Sequence, residues 1–272
     1  SRGIPRLSLL EIKDLTPYAA ALELQRELAR DRISGEQAND ILLLVEHPPV
    51  VTLGRKAQRG GDNSAMAEFL AARGVELFEV ERGGDATFHG PGQLVGYPIL
   101  NLEQHRKDLH WYLRTLEEVL IRALGWWGIE AERQKGLTGV WTQGRKIASI
   151  GVHARGWVTW HGFALNVAND LAYFDLIVPC GIQGVVMTSV ERELGERGER
   201  APSLAEARRD VVRAFIDVFG FAPDDVTADD VAADDVAADG AATGGVAGEG
   251  VALDDDATEP GLRTASHSRS AP

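Results

Sequence analysis

The run from Arg82 to Pro98, RGGDATFHGPGQLVGYP, constrains this chain more than any other stretch. It contains five glycines and two prolines around a single histidine, His89, and it lies between segments that are typical of strands. Glycine permits positive φ and lets a ligand approach the main chain, so this run could hold an oxygen-bearing substrate through backbone N–H groups. The simpler interpretation is an elaborate turn. An arginine, a histidine and a second Gly-Pro-Gly turn within one run favour a binding site.

The pattern of apolar residues predicts helices and strands that interleave without a regular βαβ repeat. Helices are predicted over 16–30, 64–74, 108–127 and, from the capping box Ser203 to Glu206, to about Phe219. Strands are predicted over 41–47, 50–54, 75–82, 93–102, 136–142, 145–152 and 156–167. We therefore expect a single α/β domain of the α+β type over residues 1–221, with a mixed β-sheet flanked by helices.

Charge separates a C-terminal tail from this domain. Residues 222–272 hold 12 acidic and 2 basic residues, so they supply −10 of the net charge of −13. Repeats of Ala, Asp and Val without aromatic residues predict a disordered acidic tail there. The remainder is nearly neutral, which argues against a nucleic-acid partner. Two basic clusters, at 54–60 and around Arg145, Lys146 and Arg155, are either solvated surface or docking sites for an acidic partner.

Other features of composition bear on the compartment. The one cysteine, Cys180, allows no intramolecular disulfide and fits a reducing, cytoplasmic setting. The longest apolar run, ILLLV, is too short to span a membrane, and the N-terminus lacks the pattern of a signal peptide. The chain begins at Ser1, which leaves the true N-terminus open.

Cys180 is the strongest candidate nucleophile, because it lies in a Pro-Cys-Gly turn after an apolar run. A cysteine attacks as the thiolate, and a free thiol with a pKa near ~8.5 is mostly protonated at neutral pH. A nearby ammonium would favour the thiolate. Strict alternation over 145–152 places Lys146 at the head of an apolar row with Ala148, Ile150 and Val152. A lysine at a strand end either reaches toward water or lies at the mouth of a pocket.

Alternatives to this pair remain open at this point. A lone cysteine is commonly a small buried hydrophobic residue. His89, His153 and His161 are available for a protease-like Cys-His pair. Neither zinc-ligand spacing nor a Walker loop occurs, so no metal and no cofactor are expected.

Several blocks of sequence together resemble the lipoyl(octanoyl) transferase family. They are RGGDATFHGPGQLVGYPIL, GVWTQGRKIASIGVHARGWVTWHGFALNV and DLAYFDLIVPCGI, with EHPPVVTLGR upstream, and they span roughly residues 7–219. The resemblance implies a catalytic fold of the biotin/lipoate protein ligase superfamily. It also implies that Cys180 takes an octanoyl group from acyl carrier protein as a thioester, with Lys146 lowering the pKa of that cysteine.

The resemblance further implies the acceptors and the substrate-binding residues. A lysine of a lipoyl domain, in 2-oxoacid dehydrogenase complexes or in the H protein of glycine cleavage, would receive the acyl group as an amide. No ATP is needed, because passing from thioester to amide is downhill. The implied substrate-binding residues are Arg82, Gly83, Gly84, Asp85, Ala86, Thr87, Phe88, His89, Ser149, Ile150, Gly151, Gly162, Phe163 and Ala164.

Two rival functions fit parts of the same pattern. An ATP-dependent lipoate or biotin protein ligase shares an Arg-Gly-Gly…His loop but needs no cysteine at position 180. A non-catalytic module that binds acylated carrier protein would keep the pocket and form no covalent adduct.

Overall fold

Strands form most of the frame of the molecule. The computed structural model describes residues 5–177 and 184–231, except for the side chains of 229–231. The strands are β1 Leu7–Leu15, β2 Asp40–Glu46, β3 Val50–Leu53, β4 Glu76–Glu79, β5 Ala86–His89, β6 Gln93–Ile99, β7 Val140–Thr142, β8 Arg145–Arg155, β9 Val158–Asn166 and β10 Val226–Val231. The helices are α1 Tyr18–Ser34, α2 Arg55–Gln58, α3 Ser64–Ala71, α4 Leu109–Trp126, α5 Val190–Gly195 and α6 Leu204–Phe219. Two 3-10 helices occupy Leu171–Leu176 and Pro223–Asp225.

In the described residues these strands form two mixed sheets. The larger sheet has the order β10-β1-β2-β6-β9-β8-β7, in which β10, β1 and β2 are parallel and the other neighbours are antiparallel. The smaller sheet has the order β4-β3-β5, with β3 parallel to β4 and antiparallel to β5. The predicted single α+β domain with a mixed sheet and flanking helices is confirmed.

Helices α4 and α6 cover one face of the larger sheet. Helix α4 begins where the Asp108 side chain accepts a hydrogen bond from the Trp111 N–H at 2.9 Å. Helix α6 begins at the predicted capping box, in which Ser203 and Glu206 each accept a hydrogen bond from the other's backbone N–H. Both helices bury apolar rows against the sheet, which supplies most of the hydrophobic stabilisation. This core includes Leu116, Leu120, Leu124, Val211 and Phe215 from the helices and Leu42, Leu44, Leu94 and Leu165 from the strands.

The opposite face of the larger sheet carries α1 and the smaller sheet. Helix α1 packs chiefly on β9 and β6, and its Ala21 and Ala29 share an apolar cluster with Val95, Val158 and Ala164 of the sheet region. The smaller sheet meets α1 through Tyr18, which packs with residues of β3 and the segment after β4. The space left between the smaller sheet and strands β6, β8 and β9 contains the candidate site.

The described structure does not end at residue 221, where the domain was predicted to give way to the tail. Regular structure continues past 221 through a 3-10 helix and β10, which pairs in parallel with β1 from Leu7↔Val226 to Ile12↔Val231. The Ala- and Asp-rich composition concealed this strand, because an edge strand tolerates charged side chains that a central strand would exclude. The rest of the predicted tail, from residue 232, lies outside the described residues.

Three smaller differences concern the strands. The glycine-rich run is not loop throughout, since β5 lies inside it and pairs with β3. Strand β7 is shorter than predicted and starts at Val140 rather than 136. Strand β1 was not anticipated.

Within the described part of the chain, no helix has the length and apolar character needed to cross a bilayer.

Candidate functional site

A cavity of about 100 Å³ lies between the two sheets, with room for several water molecules or a slim alkyl chain. Lys146 and all but two of the predicted substrate-binding residues that the sequence blocks implied lie in its lining. These are Arg82, Gly84, Asp85, Ala86, Thr87, His89, Ser149, Ile150, Gly151, Gly162, Phe163 and Ala164. Three separate blocks of sequence therefore meet at one site.

The two exceptions, Gly83 and Phe88, support the cavity from outside its lining. The Gly83 N–H donates to Val152 O at 3.0 Å, which ties the glycine-rich loop to β8. Phe88 is buried in a separate apolar cluster, where its ring stacks on Tyr173 at a centroid distance of 4.6 Å. Phe163 and Ile150 border the cavity but belong to the core beneath α4 and α6.

Arg82 holds the glycine-rich loop in place. Its guanidinium donates to Thr52 O and Thr52 Oγ1, both at 2.8 Å, and to Gly83 O at 2.9 Å. A side chain at Gly54 would collide with this turn, because its Cβ would lie 2.3 Å from Gly84 O. The loop can approach β3 closely only because position 54 is glycine. The buried arginine thus fixes the backbone that forms one wall.

His89 lies in that wall and belongs to a buried polar network. Its Nδ1 is 2.8 Å from Gln93 Oε1, and Gln93 Nε2 donates to Phe88 O and to Asn166 Oδ1, both at 3.0 Å. Asn166 Nδ2 in turn donates to Thr188 O at 3.0 Å. Burial, and then the neighbouring His47 and Arg82, lower the pKa of His89 to about 3. His89 is therefore a neutral imidazole at physiological pH.

His47 is a structural residue, as a histidine at a strand end commonly is. It is fully buried, with Nδ1 2.7 Å from Thr16 O and Nε2 2.7 Å from the Tyr97 hydroxyl. Burial lowers the pKa of His47 to about 4. It supports Tyr97, which lines the cavity.

His161 reaches the cavity from β9 in a strained conformation. Its φ is 57°, in the left-handed region, and its N–H donates to Gln25 Oε1 at 2.9 Å. Its Nε2 lies 3.5 Å from Glu81 Oε1, and burial lowers the pKa of His161. Burial alone would raise the pKa of Glu81, but contacts with His161 and with Arg26 hold it well below its usual range. The Glu81 carboxylate also accepts from Trp160 Nε1 at 2.7 Å.

Lys146 lines the cavity because β8 contains a bulge. Ala148 pairs with Val140, whereas Lys146 pairs with the next residue, Trp141, so Ile147 is the extra residue. A bulge resets the alternation of side chains. Lys146 is thereby placed with Ser149 and Gly151 on the cavity side.

The prediction that Lys146 heads the apolar row is therefore wrong, although Ala148, Ile150 and Val152 do share one apolar cluster. Ala148 and Val152 belong to the core beneath α4 and α6, and strict alternation fails at the bulge. The lysine ammonium lies 5.2 Å from the centroid of the Trp141 ring. Gly139 leaves room for the lysine stem, since a Cβ there would lie 2.8 Å from Lys146 Cε.

The strand of Lys146 is also bonded to the chain that follows the Pro-Cys-Gly sequence. The Lys146 N–H donates to Val186 O at 2.8 Å, and the Thr188 N–H donates to Lys146 O at 2.9 Å. Val185 and Met187 line the cavity, as does Ile177, which precedes Pro-Cys-Gly in the sequence. Cys180 itself lies outside the described residues.

Sequence reasoning missed several residues of the lining. Tyr18 and Tyr97 come from elements that were predicted only as a helix and a strand, and Thr138, Phe174, Ile177, Val185 and Met187 had no assigned role. No local motif distinguishes these residues, because their place depends on the packing of distant elements. Among the described residues, no group of three or more His, Cys, Asp or Glu side chains is placed to hold a metal ion.

The fold and the cavity correspond to a known class of catalytic domain. Residues 17–216 match the model of the lipoyl protein ligase A/B catalytic domain. An octanoyltransferase of Rubrobacter xylanophilus is 54% identical over 215 residues, covering 79% of this chain and 94% of that protein. One of Nostoc punctiforme is 48% identical over 217 residues, covering 79% and 89%. The chain therefore belongs to the lipoyl protein ligase A/B family and, within it, to the octanoyltransferases, as its sequence blocks predicted.

Solved structures agree at the level of the fold. A lipoate-protein ligase A bound with ATP superposes with a TM-score of 0.61 at 18% identity, covering 87% of this chain and 93% of that one. A bi-partite lipoate protein ligase from Thermoplasma acidophilum gives 0.60 at 17% identity, covering 86% and 90%.

Proposed function

We propose that this acyltransferase moves an octanoyl group from octanoyl-acyl carrier protein to a lysine amine of a lipoyl domain, through a thioester on Cys180. The proposal rests chiefly on 54% identity to an octanoyltransferase over nearly the whole length of that relative. The acceptors would be the lipoyl domains of 2-oxoacid dehydrogenase complexes and the H protein of glycine cleavage. A reducing, cytoplasmic setting suits a reaction that needs a free thiol.

The described residues on either side of the Pro-Cys-Gly sequence support Cys180 as the nucleophile. Ile177 before this sequence and Val185 after it both line the cavity that Lys146 lines. The backbone of Lys146 is bonded to residues 186 and 188, so the lysine is held to the chain that follows Pro-Cys-Gly. A cation at this place would favour the thiolate and so speed attack on the donor thioester.

The rest of the lining suits an acyl chain and a polarised carbonyl. Apolar side chains of Phe174, Ile177 and Met187 offer an alkyl chain a dry wall. The glycine-rich loop presents main chain at the opposite wall, where an N–H donor aimed at the thioester oxygen would contribute about 3 kcal/mol to the transition state. The substrate-binding roles of the residues that the sequence blocks implied, from Arg82 to Ala164, are part of this proposal.

The carrier protein would dock beside this loop. Helix α2 carries Arg55 and Lys56, and their backbone N–H groups donate to Arg82 O at 3.0 Å and to Gly84 O at 3.1 Å. A basic helix is thus fastened to the wall of the cavity, where an acidic carrier would be attracted and oriented.

Intact-mass measurement after mixing with octanoyl-carrier protein tests the proposal. We expect a gain of one octanoyl group without ATP, absent in Cys180→Ala, and its loss when a lipoyl domain is added. An ATP-dependent ligase would require ATP and tolerate Cys180→Ala, and a non-catalytic module would bind the carrier without any mass gain.

A further inference from the structure

A buried carboxylate of α4, Glu117, holds a loop that reaches the cavity. Its Oε2 accepts a hydrogen bond from Arg133 Nε at 3.0 Å, and its Oε1 accepts one from the Gly139 N–H at 3.1 Å. Arg114 Nη1 donates to both oxygens, at 3.0 and 2.8 Å. One carboxylate thus ties both ends of the segment 133–139 to a single point of α4.

The same stretch of chain is closed at its base. The Glu132 N–H donates to Trp141 O at 2.8 Å, and the Trp141 N–H donates to Glu132 O at 2.9 Å. We call residues 132–141 the Glu117-bound loop. Lys135 and Gly136 within it are exposed, so apolar packing alone does not fix this part of the chain. The hydrogen bonds to Glu117 therefore determine where the loop lies relative to α4.

The Glu117-bound loop borders the side chain of Lys146. Thr138 lines the cavity, and the next residue, Gly139, lies directly against the lysine stem, because a Cβ there would be 2.8 Å from Lys146 Cε. The buried ring of Trp141 has its centroid 5.2 Å from the Lys146 ammonium nitrogen. A shift of this loop would consequently move the surface on which the lysine side chain packs.

Fold stability alone does not explain a carboxylate at position 117. Burying an ion pair costs desolvation free energy, and an apolar side chain of similar volume commonly serves the fold equally well. Helix α4 has such side chains nearby, at the buried positions Leu116 and Leu120. A carboxylate provides what they cannot, which is a charged acceptor that fixes the direction of the Gly139 N–H.

We propose that Glu117 is a positioning residue for acyl transfer, which holds Gly139 and thereby sets where the Lys146 side chain lies in the cavity. This inference rests on the proposed function. Glu117 does not line the cavity, so it acts through the Glu117-bound loop and not on the substrate. Exact placement matters, since a displacement of about 1 Å in a reacting group can slow a reaction by as much as about 100-fold.

Three variants of the full chain test this proposal. Glu117→Met removes both acceptor oxygens at similar side-chain length, and Glu117→Gln keeps one of them. Glu118→Gln is the matched control, because Glu118 is the next residue of α4 and accepts from Arg133 Nη2 at 2.8 Å but does not bond to Gly139. Hydrogen–deuterium exchange should be about tenfold faster at the Gly139 amide in Glu117→Met and unchanged in Glu118→Gln.

Acylation by octanoyl-carrier protein between pH 6 and 9, normalised to folded protein, is the second measurement. At pH 7 we expect kcat to fall about tenfold in Glu117→Met and about threefold in Glu117→Gln. The KM for the carrier should stay within about twofold, because the carrier would dock at α2. The loss should shrink toward pH 9, where the thiol ionises without help from a cation. A carboxylate that only stabilised the fold would leave the rate per folded molecule unchanged at every pH.

Two results would overturn the proposal. One is equal acylation by Glu117→Met and Glu118→Gln throughout this pH range, and the other is exchange of the Gly139 amide that stays slow without the carboxylate. If Glu117→Met does not fold, Glu117→Gln decides by the same two criteria. Should the unaltered protein gain no octanoyl group, the proposed function fails, and exchange still shows separately whether Glu117 holds the loop.

Discussion

The two faces of the larger sheet are built from different chemistry. On the helix side, α4 and α6 close over a continuous apolar core, and the one fully buried carboxylate of α4, Glu117, is paired with Arg114 and Arg133. On the cavity side, β8 and β9 of the larger sheet present Lys146 and His161 beside glycines, and His89 lines the same cavity from β5 of the smaller sheet. One face stabilises the fold, and the other holds polar groups that the fold must keep buried.

The two faces also differ in how many buried polar side-chain atoms lack a hydrogen-bond partner. Buried side-chain atoms without a hydrogen-bond partner in the described residues include Asp85 Oδ2, His161 Nε2, His153 Nδ1 and Asn169 Oδ1, which lie on or beside the cavity side. The hydroxyl of Tyr112, a buried residue of α4, is the one on the helix side. Leaving such groups unpaired costs about 1–3 kcal/mol each. The apolar packing on the helix side therefore offsets the free energy that the unpaired polar atoms cost on the cavity side.

The strongest test of this comparison makes one substitution on each face and measures both activity and stability. Lys146→Met should reduce acylation about 100-fold at pH 7 and partly recover as pH approaches the thiol pKa, because the thiolate loses its supporting cation. Leu120→Ala, in the core beneath α4, should lower the free energy of unfolding by about 2–5 kcal/mol and leave the activity of folded molecules intact. Acylation rates and urea unfolding of both variants check this, and the comparison fails if Lys146→Met unfolds the protein or Leu120→Ala inactivates folded molecules.

Acid should weaken the cavity side first. Burial lowers the pKa of His47 to about 4 and of His89 to about 3. Unfolded chains protonate these histidines near pH ~6.5, so below that pH the unfolded state binds more protons and stability falls. By pH 5 each should contribute a loss of about 2 kcal/mol, while carboxylates with ordinary pKa values remain ionised. Urea unfolding at pH 7, 6 and 5 measures the slope, which His47→Gln should make shallower; a flat profile would refute the assignment.

The sequence predicted most residues of the cavity side, but not the features of its geometry that depend on contacts between distant elements. Glycines, Arg82 and His89 in one run indicated a binding wall, and the blocks around Lys146 and Gly162 were expected to join it, as they do. The bulge at Ile147 was not predictable, because it depends on pairing with β7 and has no local signature. Tyr18 was missed as a support of the site for the same reason, since contacts between distant elements place it.

Close approach, and not only polarity, distinguishes the cavity side. Gly139 has a φ of 139°, and an added Cβ would lie 2.8 Å from both Ala148 O and Lys146 Cε. Gly136 also has positive φ, at 79°, but nothing lies within 4 Å of its added Cβ. Gly139→Ala should therefore displace the lysine and slow acylation about tenfold, whereas Gly136→Ala should cost only about 1 kcal/mol of stability.

Gly136→Ala is thus a control for the backbone strain that both substitutions share. Acylation rates normalised to folded protein separate the two effects. Equal rates in the two variants would mean that room for the Lys146 stem is not what position 139 provides.

The smallest effect should come from the rim of the cavity side, where charge acts at a distance. Arg55→Glu with Lys56→Glu should weaken binding of octanoyl-carrier protein about fivefold at low salt, with the difference disappearing near 0.5 M salt as charges are screened. Helix α2 is fastened to the glycine-rich loop through backbone N–H groups, so exchanging the side chains leaves those bonds in place. Arg122→Glu with Arg209→Glu makes the same change in net charge at exposed positions of α4 and α6. Titrations at both salt concentrations decide the matter: if the two double variants bind the carrier equally well, the carrier responds to total charge and α2 is not its docking site.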